Sequence, residues 1–587
     1  MSNLPLPVLF YGVALLLPAL PRPLRAWACL VPPAVALAVL VAWEPGQVLL
    51  WRFLTLTLVV QRVDGLSLAF GYVFALFGLL AGLYALHLRD TPQQVASLVY
   101  VGSALGAVLA GDLFTLLVFW EAMALASTYL IWARGTPSAR RAGMRYLFVH
   151  LAGGSLLMAG AVLHWHATGS LYFGPLEGGI GAWCILLAFA INAAIPPLHA
   201  WLPDSYPQGT VTGSVFLSAF TTKAAVYALA RGFAGWEVLI WVGAVMAVYG
   251  VLFTIVENDI RGILSYHIVS QVGYMVASVG VGGPSGVNGA TAHAVANILF
   301  KGLLFMATGA VVYATGASRL TQVGGLLRPL PWVLALYMVG ACSISGVPLF
   351  SGFISKSLVI HAVEKARYDA AALMLYLAAV GTFLSIGLKL PWLAWWRPAP
   401  GPVEVRPVPP NMYVGMVLAS VINIVVGIYP QALYGVLPFA VDYQPYTLPH
   451  LVETVQVLGF TAVGFGLVRG LLKATPTITL DTDWFYRRPG RVLFDLIVDG
   501  VNGLFGGVER VTLRGVGALV QASRNPIGTL VRAAEVLRPR GRLAQGASNP
   551  SEPSAYDPDR YRLPIGVLGL LLLALFVAVM VWLWWMG

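Results

Sequence analysis

The chain has 587 residues, 58% of them hydrophobic and 10% charged, with a formal net charge of +11. So few charges cannot cover a water-exposed globular surface of this size, and the basic residues are spread over loops instead of gathered with aromatics, which points to anionic lipid and not to nucleic acid. Cys29, Cys184 and Cys342 lie in separate apolar stretches with no Cys or His at ligand spacing, so neither a disulfide framework nor a metal or iron–sulfur centre is expected.

A membrane-spanning helix takes roughly 20 mainly apolar residues, and about sixteen stretches qualify by hydropathy. The reading is therefore an all-α integral membrane protein with predicted helices at 5–21, 24–43, 66–88, 94–111, 112–133, 143–168, 180–200, 211–232, 236–256, 261–283, 287–316, 331–362, 369–396, 411–435, 450–473 and 564–586. No Lys or Arg precedes the first stretch and no small-residue cleavage site follows it, so it is read as a retained helix. Between the second and third helices, Gln47 to Asp64 alternates weakly and is rich in Val, Leu and Thr, which predicts a hairpin at the membrane surface. Helices 1 to 3 with this hairpin form a segment 1–93, followed by units 94–232 and 236–396 and by helices 14 and 15 in 411–473. The interval 474–563 is polar, with apolar residues at helical spacing in Val492, Leu493, Leu496, Ile497, Val501 and Leu504, so an amphipathic surface or lateral helix is expected. A Ser-, Pro- and Gly-containing linker from Gly541 to Arg560 then leads to the last span, in 564–587. Most arginines, among them Arg22, Arg89, Arg140, Arg261, Arg319 and Arg397, fall in alternate loops, which places both termini outside the cytoplasm.

Charged residues at membrane depth cost about 2.5–3.5 kcal/mol each on insertion scales and require a partner, water or a function. Glu121 lies in helix 5, Lys223 in helix 8, His293 and Lys301 in helix 11, Lys356 in helix 12 and Lys389 in helix 13. Carboxylates and amines suit proton relay because burial brings both towards neutrality, and imidazole titrates near physiological pH. The plainer alternative is that these residues snorkel or make static pairs. It weighs most for Asp112, at the start of helix 5, and for His267, where a packing role is the more frequent one. His164, His166 and His199 lie near helix ends and stay open.

Two spans carry breakers at mid-length. Helix 7 reads Asn192-Ala-Ala-Ile-Pro196-Pro197-Leu-His199, and helix 12 reads Ser345-Gly346-Val-Pro348-Leu-Phe-Ser-Gly352. Proline removes a backbone hydrogen bond, so such a break at depth survives only where protein or water satisfies the freed groups, and paired broken helices mark transport sites. The breaks lie five helices apart and each is followed by a lysine-bearing helix. This predicts two five-helix repeats, helices 4–8 and 9–13, inverted because five is odd. Asn192, Pro197, His199, Pro348 and Gly352 are the residues expected to shape the path.

These motifs resemble the antiporter-like subunits shared by Mrp-type cation/proton antiporters and the L, M and N subunits of respiratory complex I. Asp112-Leu-Phe-Thr-Leu-Leu-Val-Phe-Trp-Glu121 is similar to that family's helix-5 glutamate motif, and Pro197-Leu-His-Ala-Trp-Leu-Pro203 with Thr222-Lys223 is similar to its broken helix 7 and helix-8 lysine. Asp259-Ile-Arg-Gly-Ile-Leu-Ser-Tyr266, Ser270-Gln-Val-Gly-Tyr274, His293 to Lys301 and Gly352-Phe-Ile-Ser-Lys356 resemble its helices 10 to 12. The resemblance covers roughly residues 60 to 400. It implies a bacterial inner-membrane subunit that assembles with other hydrophobic subunits and moves protons, and with them Na+ or K+, along the membrane midplane through Glu121, Lys223, His293, Lys301, Lys356 and Lys389. It also implies no cofactor and no catalytic chemistry in the chain itself. Two positions depart from the family: Asn192 stands where a lysine usually pairs with the glutamate, and Asn297 where a second histidine is frequent. Three functions stay open: a subunit of an Mrp-type antiporter, a pumping L-like subunit of a redox-driven or inorganic-carbon-accumulating complex, and a scaffold that has lost pumping.

Overall fold

A computed structural model describes residues 4–399, 401, 404–470, 481–537 and 565–586. They divide into a first unit, residues 1–483, and a second, residues 484–587. Within the first unit α1 (Pro7–Leu16) is followed by α2 (Arg22–Ala28) and α3 (Val31–Ala42). Hydropathy runs α2 and α3 together as one span; Pro32 and Pro33 restart the helix because their missing N–H groups are tolerated only in a first turn. The hairpin is β1 (Val48–Phe53) paired antiparallel with β2 (Leu56–Arg62), with an irregularity at Leu49/Leu50 and Leu54 at φ 52° in the turn. α4 (Gly65–Tyr84) starts on Asp64, whose carboxylate accepts from Ser67 N at 2.9 Å while Ser67 Oγ accepts from Asp64 N at 2.8 Å, a reciprocal cap. The same carboxylate takes both arms of Arg231 at 2.8 Å and stands 3.1 Å from Arg62 Nε.

The next elements are α5 (Thr91–Leu109), α6 (Leu113–Trp132), α7 (Pro137–Thr168), α8 (Gly179–Asn192), α9 (Trp201–Ser205), α10 (Val211–Leu217) and α11 (Thr221–Gly232). A second series follows: α12 (Val238–Val256), α13 (Ile260–Val281), α14 (Gly283–Thr315), α15 (Pro331–Ser345), α16 (Ser351–Lys365) and α17 (Asp369–Thr382), the last continuing into π-helical turns at Phe383–Lys389 and Trp392–Trp396. α18 (Pro410–Ile428), α19 (Gln431–Tyr434) and α20 (Leu448–Val468) close the first unit. The second unit holds most of α21 (Asp483–Arg487), then α22 (Pro489–Arg524), α23 (Pro526–Leu537) and α24 (Ile565–Met586). The expected linker 541–560 lies outside the described residues.

Among the described residues ten helices are long and apolar enough to cross a bilayer, and four apolar helices are shorter. Sixteen continuous spans are not seen as such, because breaks divide several predicted helices. In the first unit, helices α11, α13 and α14 are buried nearly all round, whereas α20 is exposed along most of its length, so an inner layer of helices is wrapped in an outer, lipid-suited one. Close approach in the inner layer depends on missing side chains: on α12, Gly243 and Gly250 leave no room for a Cβ against the α13 backbone at Ala277 and Ser270.

Corresponding features recur five predicted helices apart. α6 and α13 each begin on an aspartate: Asp112 accepts from Thr115 N at 2.7 Å and Asp259 from Gly262 N at 3.0 Å, each filling an N-cap position and each forming an isolated bridge, to Tyr172 and to Arg319. Thr115 Oγ1 also donates to Asp112 at 2.8 Å, so both oxygens of Asp112 serve the cap, the static role weighed against relay. Predicted helices 7 and 12 are both split, into α8/α9 and α15/α16. The helix after each is irregular too: α10 and α11 part at Ser218–Phe220, and α17 passes into π-helix before Lys389.

Candidate functional site

Lys223, Lys301 and Lys356 are fully buried or nearly so, and Lys389 is 8% exposed. Each gives its ammonium to a backbone carbonyl: Lys223 to Ser218 at 2.8 Å, Lys301 to Leu264 at 3.0 Å, Lys356 to Ile344 at 2.7 Å and Lys389 to Ile255. Three of the four acceptors share a cause. Ser218 ends α10, Ile344 lies in the last turn of α15 and Ile255 in the last turn of α12, and the last carbonyls of a helix have no intrahelical partner. For Lys223 and Lys356 the helix break thus creates the acceptor and for Lys389 the helix end does, whereas the acceptor of Lys301 lies within α13. Lys356 Nζ also sits 5.2 Å from the centre of the Tyr274 ring. Lys223, Lys301 and Lys356 pair with no carboxylate among the described residues, whereas Lys389 feels the charge of Glu257.

Glu121 on α6 is half-buried, and its Oε2 is enclosed without a protein partner. Its carboxylate lies over Gly154 of α7, where a Cβ would collide with it. A Cβ on the preceding Gly153 would lie 3.5 Å from Asn192 Oδ1. Two consecutive glycines therefore let α6 and the end of α8 bring Glu121 and Asn192 to the same stretch of α7. Asn192 is fully buried with neither amide atom partnered. Glu121 makes no ion pair among the described residues.

The break after Asn192 places Pro196 and Pro197 in a cis-linked turn and His199 on its inner side. His199 Nε2 stands 3.1 Å from Asp481 Oδ2, and its ring meets Tyr249 edge-on with centroids 4.8 Å apart. In the second series, Gly346 (φ 76°) ends α15 in the left-handed conformation that favours glycine, and Pro348 occupies the connection to α16. At Gly352 the backbone N–H donates to Ser343 Oγ at 3.1 Å, and a Cβ would strike the Ser343 carbonyl, so only glycine lets the two halves of the broken helix meet this closely. His293 Nδ1 is 3.1 Å from Ser355 Oγ, and His267 Nε2 is 2.7 Å from Ser385 Oγ.

The first unit thus brings together two clusters, Glu121/Asn192 on α7 and Lys356/His293 around Ser355 and Tyr274, with Lys223 and Lys301 on adjoining buried helices. Helices α11, α13 and α14 add buried polar atoms with no partner among the described residues: Thr222 Oγ1, His267 Nδ1, Gln271 Oε1 and Nε2, His293 Nε2 and both amide atoms of Asn297. Buried polar groups in folded proteins nearly always have a partner, water included, so this row suits a hydrated chain of donors and acceptors. A cavity of about 70 Å³ beside Lys356 extends the row towards Glu453 and His450 of α20. Sequence reasoning quoted Gln271 only within a motif and missed Asp481, and it missed the break before Lys223, where neither Pro nor Gly stands between α10 and α11. Gln271 had a signal in its polar character within an apolar span; Asp481 had none, because it lies outside the spans.

A family described as NADH:quinone oxidoreductase/Mrp antiporter, transmembrane, matches residues 110–385. The chain is 33% identical over 361 residues to the D-type subunit of an Na(+)/H(+) antiporter of Alkalihalophilus pseudofirmus, covering 57% of this chain and 70% of that protein. It is 31% identical to the N-type subunit of the NADH-quinone oxidoreductase of Desulforudis audaxviator, covering 72% and 92%, and 27% identical to Hydrogenase-4 component B of Escherichia coli, covering 85% and 81%. Its fold matches a chain of the Mrp complex from a Dietzia species with a TM-score of 0.66 at 24% identity, over 79% of this chain and 98% of that one. It also matches a chain of an archaeal membrane-bound sulfane sulfur reductase with a TM-score of 0.68 at 20% identity, over 92% and 99%. With its two broken helices and its row of buried lysines, this multi-pass membrane protein belongs to the NADH:quinone oxidoreductase/Mrp antiporter family of membrane subunits.

Proposed function

We propose that the chain is the proton/monovalent-cation translocating subunit of an Mrp-type cation/proton antiporter complex. The observation that carries this reading is the set of four buried lysines held by backbone carbonyls, of which Lys223, Lys301 and Lys356 have no carboxylate partner among the described residues. An ammonium in a low-dielectric interior without a counter-ion is costly, so it hands its proton on readily and leaves a neutral amine that accepts the next one. Glu121, Lys223, Lys301, His293 and Lys356 are the stations, water and the unpartnered amides and hydroxyls the links, and Lys389 the station nearest the end of α12. Asn192, Pro197, His199, Pro348 and Gly352 shape the breaks that admit water. Both termini are non-cytoplasmic in this reading.

The test is ion-driven proton movement in everted membrane vesicles carrying the whole complex. Lys223→Ala or Lys301→Ala is expected to abolish exchange with assembly retained on a native gel; unchanged exchange removes that lysine from the path. A second reading, a pumping L-like subunit of an energy-coupled complex, is favoured by the reach of the match to Hydrogenase-4 component B, which takes in 85% of this chain against 57% for the Alkalihalophilus antiporter protein.

A further inference from the structure

Asp481 follows α20 in sequence, far from any relay motif, yet its side chain is 3% exposed and lies at the break of predicted helix 7. Three side chains converge on it. Tyr249 of α12 donates to Oδ1 at 2.6 Å, Tyr266 of α13 donates to Oδ2 at 2.6 Å, and His199 Nε2 stands 3.1 Å from Oδ2. The backbone N–H of Thr482 adds a fourth donor at 2.5 Å, and Thr482 Oγ1 donates to the Pro197 carbonyl at 3.1 Å, so the strand bearing Asp481 is tied to the break itself.

An ionised carboxylate is acceptor only. The hydrogen between His199 and Asp481 therefore belongs to Nε2, which leaves Nδ1 as the basic atom of the ring. His199 is fully buried and its Nδ1 has no protein partner. Asp481 is thus placed to do for His199 what a carboxylate does for an imidazole in many proton-transfer sites: fix the tautomer and ring orientation, and neutralise the cation that forms.

We propose that His199 and Asp481 form a proton-exchange site at the break of predicted helix 7, with Nδ1 of His199 as the exchanging atom and Asp481 as its positioning residue. One proton enters at Nδ1, giving an imidazolium beside the carboxylate, and leaves from Nδ1 to the next water or polar group; no other bond changes. Among the described residues, the titratable groups facing His199 are Tyr249, Tyr266 and Asp481, with Glu257 near Tyr266 at the turn between α12 and α13. The site rests on the translocation reading and adds to it a residue from beyond the helical repeats.

The experiment compares the parent complex with Asp481→Asn and with Lys223→Ala in everted vesicles, measuring proton movement per assembled complex across a pH series. Loss of the counter-charge destabilises the imidazolium, so Asp481→Asn is expected to move the pH of half-maximal transport down by about one unit. An unshifted midpoint overturns the proposal, even where less complex assembles. If Asp481→Asn yields no complex, Tyr249→Phe with Tyr266→Phe keeps the carboxylate and the packing while removing two donors. The carboxylate then interacts more strongly with His199, and the midpoint is expected to move up; an unmoved midpoint overturns the proposal. An assembled parent complex without ion-driven proton movement instead defeats the translocation reading, whereas a transporting parent with an unshifted Asp481→Asn defeats only the His199–Asp481 site, and transport that survives Lys223→Ala removes only that lysine from the path.

Discussion

The chemistry of this protein is concentrated in a few buried side chains whose partners are backbone atoms. Lys223 and Lys356 rest on carbonyls released by helix breaks, so an alanine at either position is expected to leave the backbone geometry in place and remove the amine. Asn192 offers a sharper test. Asn192→Lys sets an ammonium beside the stretch of α7 that carries Glu121 and turns a free carboxylate into one half of a fixed buried pair. Proton movement is expected to fall several-fold with assembly unchanged. Identical rates in the variant and the parent would favour a scaffold without pumping. The buried positions of Lys223, Lys301, His293 and Lys356 were legible in the sequence, because a charge in an apolar run stands out; their acceptors were not, since a carbonyl has no letter of its own.

At the scale of elements, glycines set how closely the broken and bent helices meet. Gly154→Ala drives a methyl group into the Glu121 carboxylate and is expected to lower stability by about 1–3 kcal/mol, seen as a lower Tm of the purified complex; an unchanged Tm would mean that α6 and α7 can part without cost. The split of predicted helix 12 could be read from Gly346, Pro348 and Gly352, and that of helix 7 from Pro196 and Pro197. The parting of α10 from α11 could not, because Ser218-Ala219-Phe220 is compatible with a continuous helix and only packing interrupts it. In the second unit, α22 exposes Val492, Leu493, Leu496, Ile497, Val501 and Leu504, an apolar stripe that needs a cover of protein or lipid. Leu496→Ser with Ile497→Ser is expected to lower the recovery of sister subunits by at least threefold in a quantitative pull-down, and full recovery would assign the stripe to lipid.

For the whole molecule, the open question is which complex the chain serves. Tagged protein purified in mild detergent from its native cells is expected to bring only small hydrophobic membrane subunits, read by mass spectrometry. Co-purifying soluble iron–sulfur, flavin, nickel or zinc proteins would instead place it as the ion-moving arm of an energy-coupled assembly. The sequence by itself determined the membrane class, the surface hairpin segment, the two proline-bearing breaks and the family. These are set by composition and by local backbone chemistry, which act over a few residues. Only the tertiary structure decided that Glu121 and Asn192 meet the same stretch of α7, that Lys301 and Lys389 are held by carbonyls of other helices, and that Asp481 reaches back to His199. These depend on contacts between residues tens to hundreds of positions apart, where spacing along the chain carries no information about distance in space.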